Sequence, residues 1–406
     1  MTGALLERYA KLIVEVGANV QRGQTVLIIC APSAAPLVHA VAHEAYLRGA
    51  LFVEPWYFDP LVKRARIEHA VPDTLEYVPP WYGARLLEVS ERHGARISFA
   101  PLTPPGLLDD LDPALAGRDQ LPSLRESFDV INARTTNWCV APWPTVEWAR
   151  VVHPELDDDA ALAKLTEELV YVLRLDEPDA AAAWRERVGR LHEVATQLDD
   201  LRLDALRFRG PGTDLTVGLL PTSRFGGDAP GSTTVDGVQH HANLPTEEVY
   251  TTPDPDRTEG VVAATKPLEL GGTVVRGLRI RFQRGRAVAI DADEGADALR
   301  ARCAKDEGAS RLGEVALVDR EGRVGKTATT FFTTLLDENA ASHLALGNAY
   351  AVAVGDEDLP RINTSAIHID FMIGGDEVAV DGVTRDGRTV AVMREGAWQF
   401  GAPAPG

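Results

Sequence analysis

Cysteine is scarce in this 406-residue chain: Cys30, Cys139 and Cys303 are far apart and odd in number. Neither a disulfide framework nor a cysteine-built zinc site can be made from them. Long apolar runs are missing too, so no segment reads as a bilayer-spanning helix. Basic residues are in deficit, with 41 Lys and Arg against 60 Asp and Glu and a formal charge of −19. A surface so negative repels phosphate backbones and anionic lipid, which disfavours nucleic acid and membranes as partners. The opening MTGALLERYAKLIVEVG lacks the basic patch, apolar core and cleavage site of a secretory signal, so the expected compartment is the cytoplasm. The familiar catalytic signatures are absent as well: GxSxG, HExxH, CxxC, and a GxGxxG opening a helix after a strand. Gly325-Lys326-Thr327 resembles the end of a phosphate loop, but Arg320 stands where the first glycine belongs, so a turn beside a strand accounts for it better.

What is present is the balance of a soluble globular protein, 45% hydrophobic and 25% charged, in a chain long enough for two domains. The first half alternates helical and strand patterns. Leu5 to Val16 has helical spacing, Thr25 to Cys30 is a strand-like TVLIIC, and Ala35 to Arg48 is the next helix, stopped by Gly49. Ala50 to Phe58 reads as a strand, Ala84 to His93 as a helix, then ARISFA as a strand; Phe128 to Ala133 is another short apolar run. This predicts an α/β N-terminal domain over residues 1–205 with a largely parallel sheet. Residues Asp157 to Leu201 read as helical throughout, the aspartates at 157–159 forming a solvated helix start. From Leu206 onward come short β-rich pieces cut by glycine turns, interrupted by helices near Asp293 to Cys303 and Asp337 to Asn348. They predict a mostly β C-terminal domain over residues 206–406, an antiparallel sheet or barrel.

His39 and His43 are four apart on one predicted helix, but no acid lies between them, and a structural role is the better reading. His240 and His241 are adjacent, so their side chains diverge. Four segments of the second half concentrate polar residues where structure has least use for them. NLPTEEVYTTPD (Asn243 to Asp254) is a proline-bounded loop holding Glu247 and Glu248, a pair that by itself would be merely solvated. GEVALVD (Gly313 to Asp319) leads a buried strand with Glu314. LLDENAASHLALGNAY (Leu335 to Tyr350) reads as a helix capped by Asp337, placing His343 and Tyr350 on one face among alanines. In NTSAIHIDFMIGG, His368 and Asp370 alternate with Ile367, Ile369 and Phe371 on a strand, so imidazole and carboxylate share a side. Each piece alone has an ordinary structural explanation. Together they supply three carboxylates, two histidines and a tyrosine, roughly what a pair of divalent ions and their activated water require.

These segments, with TNWCVAPWPTVEWA (Thr136 to Ala149) and ERYAKLIVEVGANVQRGQTVLI at the start, resemble the thermophilic metallo-aminopeptidases, peptidase family M29, along nearly the whole chain. Carried over residue by residue, the resemblance implies metal ligands at Glu248, Glu314, His343, His368 and Asp370, with Tyr350 beside them. Glu248 rather than Glu247 aligns with the bridging carboxylate. It further implies two cobalt, zinc or magnesium ions, removal of N-terminal residues from peptides with a free N-terminus, and a homodimer. Glu248 or Glu314 would move the proton, and Tyr350 would donate to the oxyanion. The threonine-rich VGKTATTFFTTLLDENA departs from the family pattern, which bears on the substrate pocket. A binding protein with an idle site, or a hydrolase of other amides, are the rival classes.

Overall fold

A computed structural model describes residues 1–119, 121–122, 124–226 and 232–400. Four parallel strands form the first layer, in the order Phe52–Tyr57, Thr25–Cys30, Ala95–Ala100, Asn137–Pro142. The central TVLIIC strand is apolar on both faces because both are covered. Val26, Ile28 and Cys30 enter a large core with Tyr9, Val41, Trp148 and Leu165, while Leu27 packs with Trp56, Leu86 and Val89. Helices Gly3–Leu12, Ala35–Leu47, Pro60–His69 and Pro80–Glu91 connect and flank these strands. Asp59, Thr145, Asp157 and Asp179 cap helix starts by accepting backbone N–H groups, which explains the aspartate run at 157–159.

Two expectations are corrected here. Phe128 to Ala133 is not a strand but the end of a helix, Arg125–Ala133. The fourth strand lies instead in the TNWCVAP segment. A short apolar run does not distinguish the two by periodicity. The helical stretch 157–201 is two helices, Asp158–Val172 and Ala180–Asp200. The break holds Arg174 in the left-handed region at φ 57, with its guanidinium 4.1 Å from the Trp184 ring centroid.

The second half is built on an eight-stranded antiparallel sheet ordered 286–291, 279–283, 253–263, 213–219, 203–210, 379–384, 389–394 and 397–398. A separate four-stranded antiparallel sheet is ordered His368–Met372, His343–Gly347, Leu312–Val318, Glu248–Thr251. The long helix Ala180–Asp200 touches both cores, giving Trp184 to the first and Leu191, Ala195 and Leu198 to the second. Leu244, Val324, Phe331 and Leu336 reach back into the first core. No helix among the described residues is long and apolar enough to cross a membrane.

Candidate metal centre

The helix expected over Asp337 to Asn348 does not form. One helical turn, Thr334–Asp337, and a 3-10 turn, Glu338–Ala340, lead instead into the strand His343–Gly347. HLALG alternates as a strand does: Leu344 and Leu346 enter the second core, with His343, Ala345 and Gly347 on the other face. Strands on both sides satisfy its backbone, and that tertiary pairing outweighs the helix preference of its alanines. Gly347 sits at φ +104, and a Cβ there would lie 2.2 Å from the Ile367 carbonyl oxygen, so only glycine fits beside His368. Asp337 is no N-cap of a long helix; its carboxylate accepts the N–H groups of Phe331 and Thr333.

The pairing register assembles the site. Glu314 and Asp370 both stand opposite Ala345, and His368 opposite Gly347. Val318 pairs with Glu248, and Ala316 with both His343 and Tyr250. Small side chains at 316, 345 and 347 therefore form a floor from which the polar groups rise. Val249, Val315, Leu317, Leu344, Leu346, Ile369 and Phe371 fill the core behind. Glu248 lies within the strand Glu248–Thr251 rather than in the loop expected from its prolines.

All five predicted ligand side chains converge. His343 Nε2 is 3.1 Å from Glu248 Oε2, and His368 Nε2 is 3.1 Å from Glu314 Oε2 and 3.2 Å from Asp370 Oδ1. Each Nδ1 faces a backbone carbonyl, Ala341 at 3.2 Å and Asn348 at 2.7 Å. A carbonyl only accepts, so each Nδ1 carries a hydrogen, and each Nε2 is the ring nitrogen turned to the carboxylate oxygens, the atom left to bind a cation once its own proton is displaced. Glu248 Oε2 and Asp370 Oδ1 are buried and lack an aligned hydrogen-bond partner. Two imidazole nitrogens and a crowd of carboxylate oxygens gathered in a buried space fit a shell of ligands around cations, which would take the place of the imidazole protons.

The electrostatics agree. Burial, reinforced by Glu248 and Asp370 against the pull of His368, raises Glu314 to about 7. Burial alone would depress His343, but the bond to Glu248 and the surrounding carboxylates raise it to about 10. Burial and then Glu314, Asp370 and Glu338 hold the Tyr350 hydroxyl protonated far above its ordinary range. Tyr350 lies over the site, its ring centroid 4.9 Å from that of His368.

The profile of the family described as thermophilic metalloprotease (M29) matches residues 3–398. The chain belongs to the M29 family. It is 39% identical to aminopeptidase T of Thermus thermophilus over 97% of this chain and 98% of that one. It is 37% identical to aminopeptidase 2 of Geobacillus stearothermophilus over 97% and 98% of the two chains. The structure titled wild-type AmpT from Thermus thermophilus superposes with a TM-score of 0.85 at 38% identity, covering 98% of this chain and 99% of that one. This M29 protein is therefore a metal-dependent aminopeptidase, an exopeptidase hydrolase.

Its sequence left the choice between the neighbouring glutamates to an alignment; their surroundings differ sharply. Glu247 is wholly buried away from the cluster, paired with Arg174 at 2.9 Å and with Arg187. It also accepts the Arg323 N–H. Glu338 was missed altogether. It groups with His343 and Asp370 as a third set of possible ligands. Burial first, then Asp370 and Glu248, push its carboxyl well above the usual range, and it accepts from Asn243 at 2.8 Å. Its only sequence signal was an acid within an apolar, alanine-rich segment, which the helix reading absorbed. His39 and His43 are exposed on their helix and belong to none of the ligand groups among the described residues.

A cavity of about 280 Å³ opens over the cluster, with Ile131, Trp138 and Val140 of the first layer on its far wall and His240 beside them. Burial lowers both His240 and His241 to about 4, so neither is charged at neutral pH.

Proposed function

We propose that Glu248, Glu314, His343, His368 and Asp370 hold two divalent ions and that the enzyme removes N-terminal residues from peptides with water activated between them. The observation that carries this reading is the overlap of ligand groups: Glu248, Glu314 and His343 form one, and Glu314, His368 and Asp370 another. Glu314 is common to both, so it would be the carboxylate shared by the two ions, where the resemblance had pointed to Glu248. Imidazole among carboxylates favours a borderline cation such as zinc or cobalt over magnesium. When bound, such a pair lowers the pKa of a shared water and polarises the scissile carbonyl.

The protein's own groups do the rest. Tyr350, kept protonated, donates to the carbonyl oxygen as negative charge develops on it. A glutamate takes the proton of the attacking water and returns it to the leaving amine: Glu248 or Glu314, with Glu338 added as a third carboxylate within reach. Measuring metal content and peptidase rate of His343→Ala tests the reading: loss of both is expected, and full retention of both would reject it. Cleavage of free but not acetylated N-termini separates this activity from that of a general amidase.

We further propose a cytoplasmic homodimer with the domain boundary near residue 205. Leu47, Leu51, Phe52, Leu61, Val62 and Trp81 are each more than half exposed along and beside the edge strand Phe52–Tyr57. An apolar surface of that kind suits a second copy. Light scattering that finds a monomer at micromolar concentration would refute it.

A further inference from the structure

Behind His368 and Asp370 lies a second cavity of about 320 Å³, which shares Val140, Leu335, His368 and Asp370 with the first. Its wall includes Thr103, Thr333, Thr334, Glu269 and Arg302, so part of the threonine-rich segment faces it. Arg302, on the helix Ala296–Cys303, is 7% exposed. Of its guanidinium, Nη2 donates to the Asp119 carbonyl at 3.1 Å, while Nε is buried with no partner. Thr103 is 4% exposed, and its hydroxyl is also without a partner.

Two carboxylates, Asp119 and Glu269, lie near enough to act on the Arg302 charge, but neither accepts from its Nε. Glu269 receives the N–H groups of Gly272 and Gly271. Lys63, off the cavity wall, donates to the carbonyls of Asp119 and Leu121 at 2.9 and 2.7 Å. The Asp119 carboxylate is not on the wall either: its Oδ1 pairs with Arg66 at 3.5 Å and Lys63 at 3.9 Å, and its Oδ2 is buried without a hydrogen-bond partner. A buried guanidinium left short of acceptors is costly, and a carboxylate matches its fork of donors better than any neutral group. The cavity volume is at the small end for ligand sites.

We propose that this cavity receives the leaving side of a short peptide, and that Arg302, assisted by the Thr103 hydroxyl, binds the peptide's terminal carboxylate. Free dipeptides and tripeptides are then preferred over chains whose C-terminus is blocked or remote. The inference rests on the aminopeptidase reading of the adjoining cluster and is independent of the number of ions there.

The test is the ratio of kcat/KM for leucylglycine to that for leucylglycinamide, on metal-loaded protein. The wild type should favour the free acid by about ten- to a hundredfold, the usual weight of a charge-assisted hydrogen bond. Arg302→Met should bring the ratio close to one, and Thr103→Val should lower it part of the way. A wild-type ratio near one, or a folded Arg302→Met enzyme with an unchanged ratio, overturns the proposal. If Arg302→Met does not fold, an unchanged ratio in Thr103→Val does the same. Wild-type hydrolysis of leucine p-nitroanilide, which has no carboxylate, keeps the two readings apart: its failure would sink the aminopeptidase reading instead.

Discussion

Glu247 and Glu248 are adjacent in sequence and opposite in consequence, and paired substitutions expose the difference. In Glu247→Gln the amide keeps its shape but loses its charge, leaving the buried Arg174 and the half-buried Arg187 beside a neutral group. Breaking one side of a buried ion pair typically costs about 3–5 kcal/mol. For a chain of this length that corresponds to a fall in Tm of roughly 4–6 °C. Metal content should be unchanged, because Glu247 does not face the cluster. Glu248→Gln should do the reverse. It relieves repulsion among the buried carboxylates but also takes away the charge that holds His343 protonated, so the two effects offset and the metal-free Tm moves less than in Glu247→Gln, while metal content and turnover fall. Calorimetry of the metal-free proteins, followed by elemental analysis after reloading, reads both effects. If Glu247→Gln lost metal at unchanged Tm, or Glu248→Gln lost more Tm than Glu247→Gln in the metal-free state, the division between structural and site glutamate would be wrong.

Tyr350→Phe should keep its metal and lose turnover by about a hundred- to a thousandfold, the usual weight of an oxyanion donor; unaltered kcat with metal in place would reject that role. His240 and His241 are neutral when folded and titrate near 4, whereas unfolded histidine titrates near ~6.5. Below that value the unfolded chain binds protons that the folded one does not, so stability falls as pH drops from about 6.5 to about 4 and the loss then levels off, at up to ~3 kcal/mol per histidine. Thermal melts across that window should show a shallower slope for His240→Gln than for the wild type; identical slopes would show that His240 is not held neutral by burial. Gly347→Ala should fail to fold or lose several degrees of Tm, since its Cβ meets the Ile367 carbonyl; a variant as stable as the wild type would contradict the close approach.

Local pattern was enough to reveal much of the framework. TVLIIC and ARISFA are strands over the residues expected, and the shift at Leu206 to short glycine-punctuated strands marks the large antiparallel sheet. Alternation along HIDFM put His368 and Asp370 on one side of a strand, because a two-residue period needs no knowledge of the partner. The residues at 314, 343, 368 and 370 drew attention for a chemical reason, since carboxylates and imidazoles inside apolar runs have no use in packing, whereas the choice of Glu248 over Glu247 came only from the family resemblance. Tertiary structure decided everything that depends on neighbours. HLALG became a strand because the flanking strands Leu312–Val318 and His368–Met372 complete its hydrogen bonds, and no intrinsic preference encodes that. The separation of Glu247 from Glu248 came from Arg174 and Arg187, 73 and 60 residues from Glu247 in the chain. Glu338 and Arg302 acquired their significance only from what the fold packs around them, since burial and unmet hydrogen-bond donors are properties of a surrounding, not of a residue.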